Sequence, residues 1–264
     1  MRYRTPKAQS FHSSLMVFVR TPSSEQNKLD VETLASNLDF KSITELSING
    51  HSHLIDVLHL PFEIIEDKKQ ASRVTNHLMG LLLSKARAIS GALNCLLLQK
   101  DNAGFTPLHE ALISGNADNM RAYFAEVRQA VTDRTITAEE YKQLLTGANA
   151  AGFTPLHQAA NSGIYEIYSE YRKALTEFDC DGSATRILLF AETKNGYTPS
   201  CQPGFDKKDC GKINRELNAE RAKLRSQGDI AQTASASSAQ SQKLFRPQSS
   251  NPAGATNSNL AFRR

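Results

Sequence analysis

The side chains best suited to chemistry are four histidines in one stretch: His51, His53, His59 and His77. Histidine is a common metal ligand, and a ligand pair at His51 and His53 would need a strand, where residues two apart lie on the same side. The repeat pattern of the chain instead places both at a turn and a helix start. No carboxylate or cysteine completes a recognisable ligand set. We therefore predict no metal site and interpret these histidines as solvated or capping residues.

The four cysteines are irregularly spaced, at Cys95, Cys180, Cys201 and Cys210. No C-x-x-C pair occurs, so neither a zinc ribbon nor a thioredoxin-type site is indicated, and we expect reduced thiols. A cysteine-dependent enzyme would need one of the first three cysteines beside His109 or His157, but no nucleophile signature surrounds them. We expect Cys95, which stands among leucines, to be a small buried hydrophobe. Catalysis through a cysteine is kept as an alternative.

Two partial motifs overlap at residues 59–65, which read HLPFEII. The first resembles the Fic motif for transfer of nucleotides or phosphocholine, which needs histidine directly before proline and a glycine-rich anion nest soon after. Lys68-Lys69-Gln70 stands in place of the nest, so this match fails. The second resembles the opening of an F-box, which recruits ubiquitin-ligase machinery, but Lys68 and Lys69 would then have to be buried. A ubiquitin-ligase adaptor is the other alternative.

The composition of the 264 residues narrows the class of protein. Hydrophobic residues make up 40% of the chain, enough for a core over its folded part. The net charge of +4 is scattered, apart from a modest cluster in Lys212–Arg225, whereas nucleic-acid binders usually gather basic residues in one stripe. The apolar run Leu15–Val19 is too short for a secretory signal, and no run reaches the length of a membrane span. These features predict a soluble, cytoplasmic protein without a nucleic-acid ligand or a membrane span.

The sequence contains internal repeats. Residues 103–115 read AGFTPLHEALISG and residues 151–163 read AGFTPLHQAANSG. A third copy opens at Gly196 as GYTP, and a degenerate copy lies upstream over residues 50–58. The glycines that open the four copies are 54, 48 and 44 residues apart. Two near-complete copies in one register indicate a repeat architecture, in which each unit buries its apolar side against its neighbours.

The repeated segment resembles the ankyrin repeat, whose motif is G-x-T-P-L-H-x-A, followed by a glycine that ends the first helix. Thr106 and Thr154 are placed to cap a helix, and the proline after each stands at the first helical position. The glycine before each suits a positive φ in a tight turn. By this resemblance, His109 and His157 hydrogen-bond to the adjacent repeat.

The copies are longer than an ankyrin repeat, which has about 33 residues, and the extra sequence has a helical pattern. Thr137-Ala138-Glu139-Glu140, for example, is a capping box. We interpret the extra sequence as a lengthened outer helix or a third short helix. The final copy loses its inner helix because Pro203-Gly204 follows closely. Before the repeats, we expect a short strand at Leu15–Val19 and a helix over Asp30–Leu46.

We therefore predict an all-α fold, an ankyrin-like α-solenoid with enlarged repeats and a disordered tail. Residues 1–46 form an N-terminal cap or a small added segment. Residues 47–226 hold about four repeats, which start near residues 47, 101, 149 and 193, the last degenerate. Residues 227–264 are polar and lack periodicity, so we expect them to be disordered.

The resemblance implies a monomeric scaffold that binds a protein partner without catalysis or a cofactor. The expected contacts are the turn tips and the exposed positions of the inner helices: Asn102, Ala103, Glu110, Ile113, Asn149, Ala150, Gln158, Asn161, Lys194 and Asn195. Enlarged, degenerate repeats with a polar tail resemble effectors that intracellular bacteria export into host cells through type IV secretion, although eukaryotic ankyrin proteins also carry such tails. In the alternative function, the N-terminal segment is an enzyme or ligase adaptor and the repeats serve for targeting.

Overall fold

The computed structural model describes residues 3–47, 50–179, 181–201 and 209–226. These residues form thirteen α-helices and no strand, which confirms the predicted all-α class. The helices are α1 Pro6–Arg20, α2 Glu25–Ser36, α3 Phe40–Ile43, α4 His53–Ile64, α5 Lys68–Arg87, α6 Ala92–Leu98, α7 Pro107–Ile113, α8 Ala117–Thr132, α9 Ala138–Thr146, α10 Pro155–Asn161, α11 Tyr165–Phe178, α12 Ser183–Leu189 and α13 Cys210–Ser226. Cys180, Pro203-Gly204 and the predicted tail lie outside the described residues.

Most of the described helices begin where the sequence supplies a side-chain cap, although α6, α11 and α12 do not. Thr106 and Thr154 each accept a hydrogen bond from the backbone N–H three residues on, and the proline that follows is the first helical residue. Proline is tolerated there because its missing N–H would have had no partner. Thr137 opens α9 with the predicted capping box. The capping predictions are thus confirmed.

The extra sequence of each unit forms a third short helix rather than a longer outer one. This third helix is α6, α9 or α12, and it follows the long helix α5, α8 or α11. Each of the three packs against the helix before it, and α6 and α9 also pack against the first helix of the next unit while α12 packs against α13. The additional residues therefore extend the contact between neighbouring units.

The N-terminal segment has the same order of helices as the units that follow. Thr5 caps α1 and Pro6 is its first residue, as at the later Thr-Pro pairs. Helix α1 packs against α4, α2 against α5, and α3 against both α5 and α6. Capping residues Thr5, Ser52, Thr106 and Thr154 thus open four three-helix units, 47 residues (5 to 52), 54 (52 to 106) and 48 (106 to 154) apart.

Two predictions for the N-terminal segment are wrong. Leu15–Val19 is not a strand but part of α1, because the cap at Thr5 starts a helix whose buried residues have helical spacing. The helix expected over Asp30–Leu46 is divided into α2 and α3. Asp39 causes the break, since its side chain accepts a hydrogen bond from the backbone N–H of Ser42 and so starts a new helix.

Equivalent helices of successive units pack in two rows. Helices α1, α4, α7 and α10 form the inner row, and α2, α5, α8, α11 and α13 form the outer row. One continuous apolar core lies along them. Tyr123 and Tyr171, at equivalent positions of α8 and α11, donate hydrogen bonds to the carbonyls of Leu97 and Leu145 at 3.4 and 2.7 Å. Among the described residues, no helix has the length and apolar character needed to span a membrane.

Helix α13 covers the C-terminal end of the core. Ile213 and Leu217, four residues apart on one side of the helix, are buried. Arg221 is also buried, and its guanidinium donates hydrogen bonds to the carbonyls of Leu189 and Pro199 at 2.8 and 2.6 Å. Polar backbone groups at the end of the last unit are thereby satisfied by a side chain.

Two expectations for the cysteines are corrected. Cys201 and Cys210 form a disulfide, with their Cα atoms 5.2 Å apart, whereas we expected reduced thiols. Spacing alone gave no sign of this pair, because the bond depends on how the start of α13, at Cys210, lies beside Cys201. Cys95 is exposed, not buried. The buried side of α6 is formed by Leu93, Leu96 and Leu97, and Cys95 falls between them.

Candidate partner-binding surface

A short turn follows the third helix of each unit, and we call these four turns the fingers: residues 47–51, of which 47, 50 and 51 are described, 101–105, 149–153 and 193–197. In each finger the first backbone N–H donates to the carbonyl of the fifth residue, and the N–H of the glycine at the fourth position donates back to the first carbonyl. All eight distances lie between 2.8 and 3.0 Å. The four glycines have φ between 76° and 88°, which confirms the predicted tight turns.

The first side chain of each finger fixes its shape. Asp101 Oδ1 accepts hydrogen bonds from the N–H groups two and four residues on, at 2.9 and 2.7 Å, and Asn149 Oδ1 accepts the same pair at 3.0 Å. In the other fingers, the hydroxyls of Ser47 and Thr193 accept from the N–H four residues on, at 3.1 Å. Asn149, which we predicted to contact a partner, is buried and serves the turn instead. That prediction is corrected.

Three of the fingers are joined backbone to backbone. The N–H of Ala150 donates to the carbonyl of Ala103 at 2.8 Å, and the N–H of Lys194 donates to the carbonyl of Ala151 at 3.0 Å. A Cβ atom added at Gly152 would lie 2.9 Å from the Cα atom of Thr193 in the next finger, closer than real Cβ contacts. Glycine is therefore required by the stacking as well as by the turn.

The two motif histidines link each unit to the next. The backbone N–H of Thr106 donates to Nδ1 of His109 at 3.2 Å, which leaves the proton on Nε2, and Nε2 donates to the carbonyl of Phe153 at 3.1 Å. His157 bonds Tyr197 in the same way at 3.0 Å. The expected bond to the adjacent unit is thus confirmed. Burial lowers the pKa of His109 to about 4 and also lowers the pKa of His157, so both rings are neutral at pH 7.

Most of the predicted contact residues are accessible. The finger tips expose five of them: Asn102, Ala103, Ala150, Lys194 and Asn195. On the inner helices, Ile113 is 44% exposed, and Glu110 and Asn161 are half-buried. Gln158 is only 9% exposed, because α10 lies between α7 and α13, and it offers little surface. Its prediction as a contact residue is corrected.

The inner row presents two side chains from each unit, the fourth and seventh residues after the cap, and we call these eight positions the inner face. They are Gln9 and His12, Asp56 and His59, Glu110 and Ile113, and Gln158 and Asn161. Two of the junctions pair a histidine with a carboxylate of the next unit. Nδ1 of His12 lies 3.3 Å from Asp56 Oδ2, and Nδ1 of His59 lies 3.4 Å from Glu110 Oε2.

Sequence reasoning missed this repeated pair. The signal was Thr5-Pro6, which would have aligned α1 with the later inner helices and His12 with His59. At the third junction the equivalent residues are Ile113 and Gln158, which cannot form an ion pair. The inner face therefore changes from charged to uncharged along the row.

Asp56 of α4 binds side chains of the N-terminal segment at the place where α1 packs against α4. Its carboxylate accepts a hydrogen bond from the Tyr3 hydroxyl at 2.6 Å, and His51 Nδ1 lies 3.3 Å from Oδ1. Despite burial, the hydrogen bonds from His12, His51 and Tyr3 hold the pKa of Asp56 at about 2. His53 stacks on Tyr3, and burial lowers its pKa to about 4. Ser52, not a histidine, caps α4, and His53 is buried, so the interpretation of His53 as a solvated or capping residue is corrected.

Other potential chemistry in this region is limited by existing bonds. The part of the chain that the structure describes contains no group of three side chains able to hold a metal ion. His109 and His157 are occupied by the bonds between units, and Cys201 is held in a disulfide. Lys68 and Lys69, which an F-box would bury, are exposed at the start of α5. An open groove of about 400 Å³ lies between α1 and α4, with His12 in its lining.

In the outer row, neighbouring helices are joined differently, by ion pairs between arginine and glutamate side chains. Arg87 of α5 pairs with Glu126 of α8, and the later pairs continue to α13: Arg121–Glu170 at 3.8 Å, Arg128–Glu177 at 3.1 Å and Arg172–Glu220 at 2.6 Å.

No family model and no curated protein matches this chain. Its function is therefore inferred from the geometry of these two sides.

Proposed function

We propose that the chain is an ankyrin-like α-solenoid of enlarged repeats that binds a protein partner along its finger tips and inner face. The observation that carries the proposal is the backbone bonding of fingers 101–105, 149–153 and 193–197 to one another. These bonds place exposed tip residues of three units in one series. A partner can contact several units at once, and such a surface costs little ordering because the fingers are already fixed.

The distribution of polar groups supports binding rather than catalysis. Buried polar groups near the fingers serve turns, caps or bonds between units, as those of Asp101, Asn149 and His109 do. The tips, by contrast, expose Asn102 and Asn195, whose amides can donate and accept hydrogen bonds. Ile113 adds an exposed apolar side chain, which suits the core of a protein interface.

The proposal is tested by affinity capture with two matched triple variants. The tip variant carries Ala103→Arg, Ala150→Arg and Asn195→Arg, and the control carries Ala125→Arg, Ser169→Arg and Ala219→Arg on exposed positions of the outer row. We expect a protein captured by the unmodified chain to be lost with the tip variant and kept with the control, at equal thermal stability. Loss with the control alone, or equal capture by all three chains, would contradict the proposal.

We also propose that the chain acts as an effector, translocated into a host cell with residues 227–264 as its export signal. The support is the sequence of that segment, which is rich in small polar residues and ends in LAFRR. A reporter fused to the chain, with and without these residues, measures translocation through a type IV system. Undiminished translocation of the truncated chain would refute this role of the segment.

A further inference from the structure

His59 of the inner face contacts two carboxylates, Glu110 of the inner face and Glu63 near the end of α4. Nε2 of His59 lies 2.7 Å from Glu63 Oε1, and Nδ1 lies 3.4 Å from Glu110 Oε2. Glu63 is on the same helix as His59, and Glu110 comes from the next inner helix. This three-residue group, which we call the carboxylate bridge, has a net charge of −1 when His59 is protonated and −2 when it is neutral.

The surroundings of the carboxylate bridge are negatively charged on the side of α4 and α7, although Arg20 adds a cation on the side of α1. The pKa of His59 is raised to about 8, first by its hydrogen bond to Glu110 and then by Glu63. The pKa of His51, at the base of the first finger, is raised by Asp56 and further by Asp101 and Glu110. On α1, His12 and Arg20 line the adjacent groove. Two raised histidine pKa values at separate positions indicate a negative potential over this part of the face.

The carboxylate bridge lies beside an apolar contact point and is accessible. Ile113 is 44% exposed and lies one turn after Glu110 on α7. The side chains of His59 and Glu63 are 37% and 56% exposed, and the Glu110 side chain behind them is 13% exposed. At the following junction the face is uncharged, with Gln158 in the position of Glu110 and Ile113 in the position of His59. Charge complementarity therefore favours a cation on the earlier part of the face and not on the later part.

We propose that the carboxylate bridge binds a basic segment of the partner, in which a lysine or arginine replaces His59 between Glu63 and Glu110 and an aliphatic neighbour contacts Ile113. This inference rests on the proposed partner-binding function and names the chemistry of the partner. The incoming cation takes the place of the imidazolium, so the proton of His59 is released to solvent. The two carboxylates therefore have a positive charge beside them both before and after the segment binds.

Competition between the incoming cation and the proton makes binding depend on pH. Below pH 8 His59 is mostly protonated and holds both carboxylates, whereas above pH 8 it is neutral and leaves them open. By linkage, affinity for a basic segment rises with pH, by roughly tenfold between pH 6.5 and 8.5. Lysine and arginine remain charged over this range, so the change belongs to the protein.

The test uses two fluorescein-labelled peptides of twelve residues, one alternating leucine with arginine and one alternating leucine with glutamate. Fluorescence anisotropy with the full-length chain gives the Kd of each at pH 6.5 and 8.5. We expect only the arginine peptide to bind, and to bind about tenfold more tightly at the higher pH. His59→Gln should bind it with little change between the two pH values.

Matched variants locate the binding. Glu63→Gln with Glu110→Gln should weaken binding of the arginine peptide at least tenfold, while Glu126→Gln with Glu177→Gln on the outer row should leave it unchanged. Equal binding of both peptides, no rise with pH, or equal loss in the two double variants would overturn the inference. If these results appear while the tip variant still loses the captured protein, the basic-segment inference fails and the proposed function stands.

Discussion

The inner and outer sides of the molecule hold neighbouring units together by different means. On the inner side, fingers bond through the backbone and the buried motif histidines donate to carbonyls of the next finger, as His109 does to Phe153. On the outer side, neighbouring helices are joined by partly exposed pairs such as Arg128–Glu177. Buried hydrogen bonds are costly to break, whereas surface ion pairs contribute little. The comparison indicates that the inner side sets the spacing of the units and the outer side adds only modest stability.

The largest difference in the free energy of unfolding is expected between substitutions at two glycines that have the same turn conformation. Gly152 and Gly196 have φ of 88° and 76°, but only Gly152 has another finger against it, with a Cβ approach of 2.9 Å to Thr193. We expect Gly152→Ala to lower the free energy of unfolding by roughly 3 kcal/mol, from the strain of positive φ together with the clash. Gly196→Ala should cost about 1 kcal/mol, from φ alone. Urea unfolding measures both, and equal losses would show that the fingers do not stack.

The pH dependence of stability tests the burial of the motif histidine His109. Because burial holds the pKa of His109 at about 4, below its unfolded value of about 6.5, its contribution is complete above pH 6.5 and is lost as the pH falls toward 4. We expect a loss of about 2 kcal/mol between pH 6.5 and 5 from this residue. His109→Gln should show a correspondingly smaller slope in urea unfolding at the two pH values. An unchanged slope would mean that His109 is not buried against Phe153.

The stability contributed by caps on the inner side and on the third helices can be compared through two threonines, Thr106 and Thr137. The Thr106 hydroxyl caps α7 and also contacts His109 Nδ1 at 2.9 Å, whereas Thr137 caps α9 at an exposed position. We expect Thr106→Ala to cost about 1.5 kcal/mol and Thr137→Ala about 0.7 kcal/mol. Thermal unfolding of the two variants gives the order. A larger loss at Thr137 would contradict the assigned importance of the inner side.

The smallest effect is expected in the outer row. Glu177→Gln removes the carboxylate that Arg128 contacts at 3.1 Å, and both side chains are well exposed. We expect a change of less than about 1 kcal/mol, reduced further by salt. Urea unfolding at low and high salt measures it. A loss as large as that of Gly152→Ala would show that the outer row, not the fingers, holds the units together.

Local sequence chemistry predicted much of the inner side. The Gly-x-Thr-Pro-Leu-His segments specify a turn, a cap and a helix start within a few residues, so Gly104, Thr106 and His109 were assigned correctly. Contacts between distant segments were not visible in this way. The Cys201–Cys210 bond depends on how helices pack and leaves no local spacing pattern, and the contact of His12 with Asp56 had only the short signal Thr5-Pro6.

The exposure of individual contact residues was also hard to predict. Asn149 and Asn102 both occupy a finger, but the side chain of Asn149 bonds inside the turn while Asn102 is exposed at the tip. The position within the turn decides whether an asparagine side chain bonds inside the turn or faces outward. The residue type alone does not distinguish these two roles. The N-terminal unit was missed for a related reason, since Thr5-Pro6 lacks the glycine and leucine that marked the other copies.

The central claim is that a partner contacts the finger tips and inner face, and site-specific photo-crosslinking tests it most directly. A benzophenone amino acid is placed at Ala150 on a finger tip or at Ala125 on the outer row, both exposed alanines. With the captured partner present, we expect a crosslinked product from position 150 and none from position 125. Crosslinking from position 125 alone would contradict the claim and place the partner on the outer row.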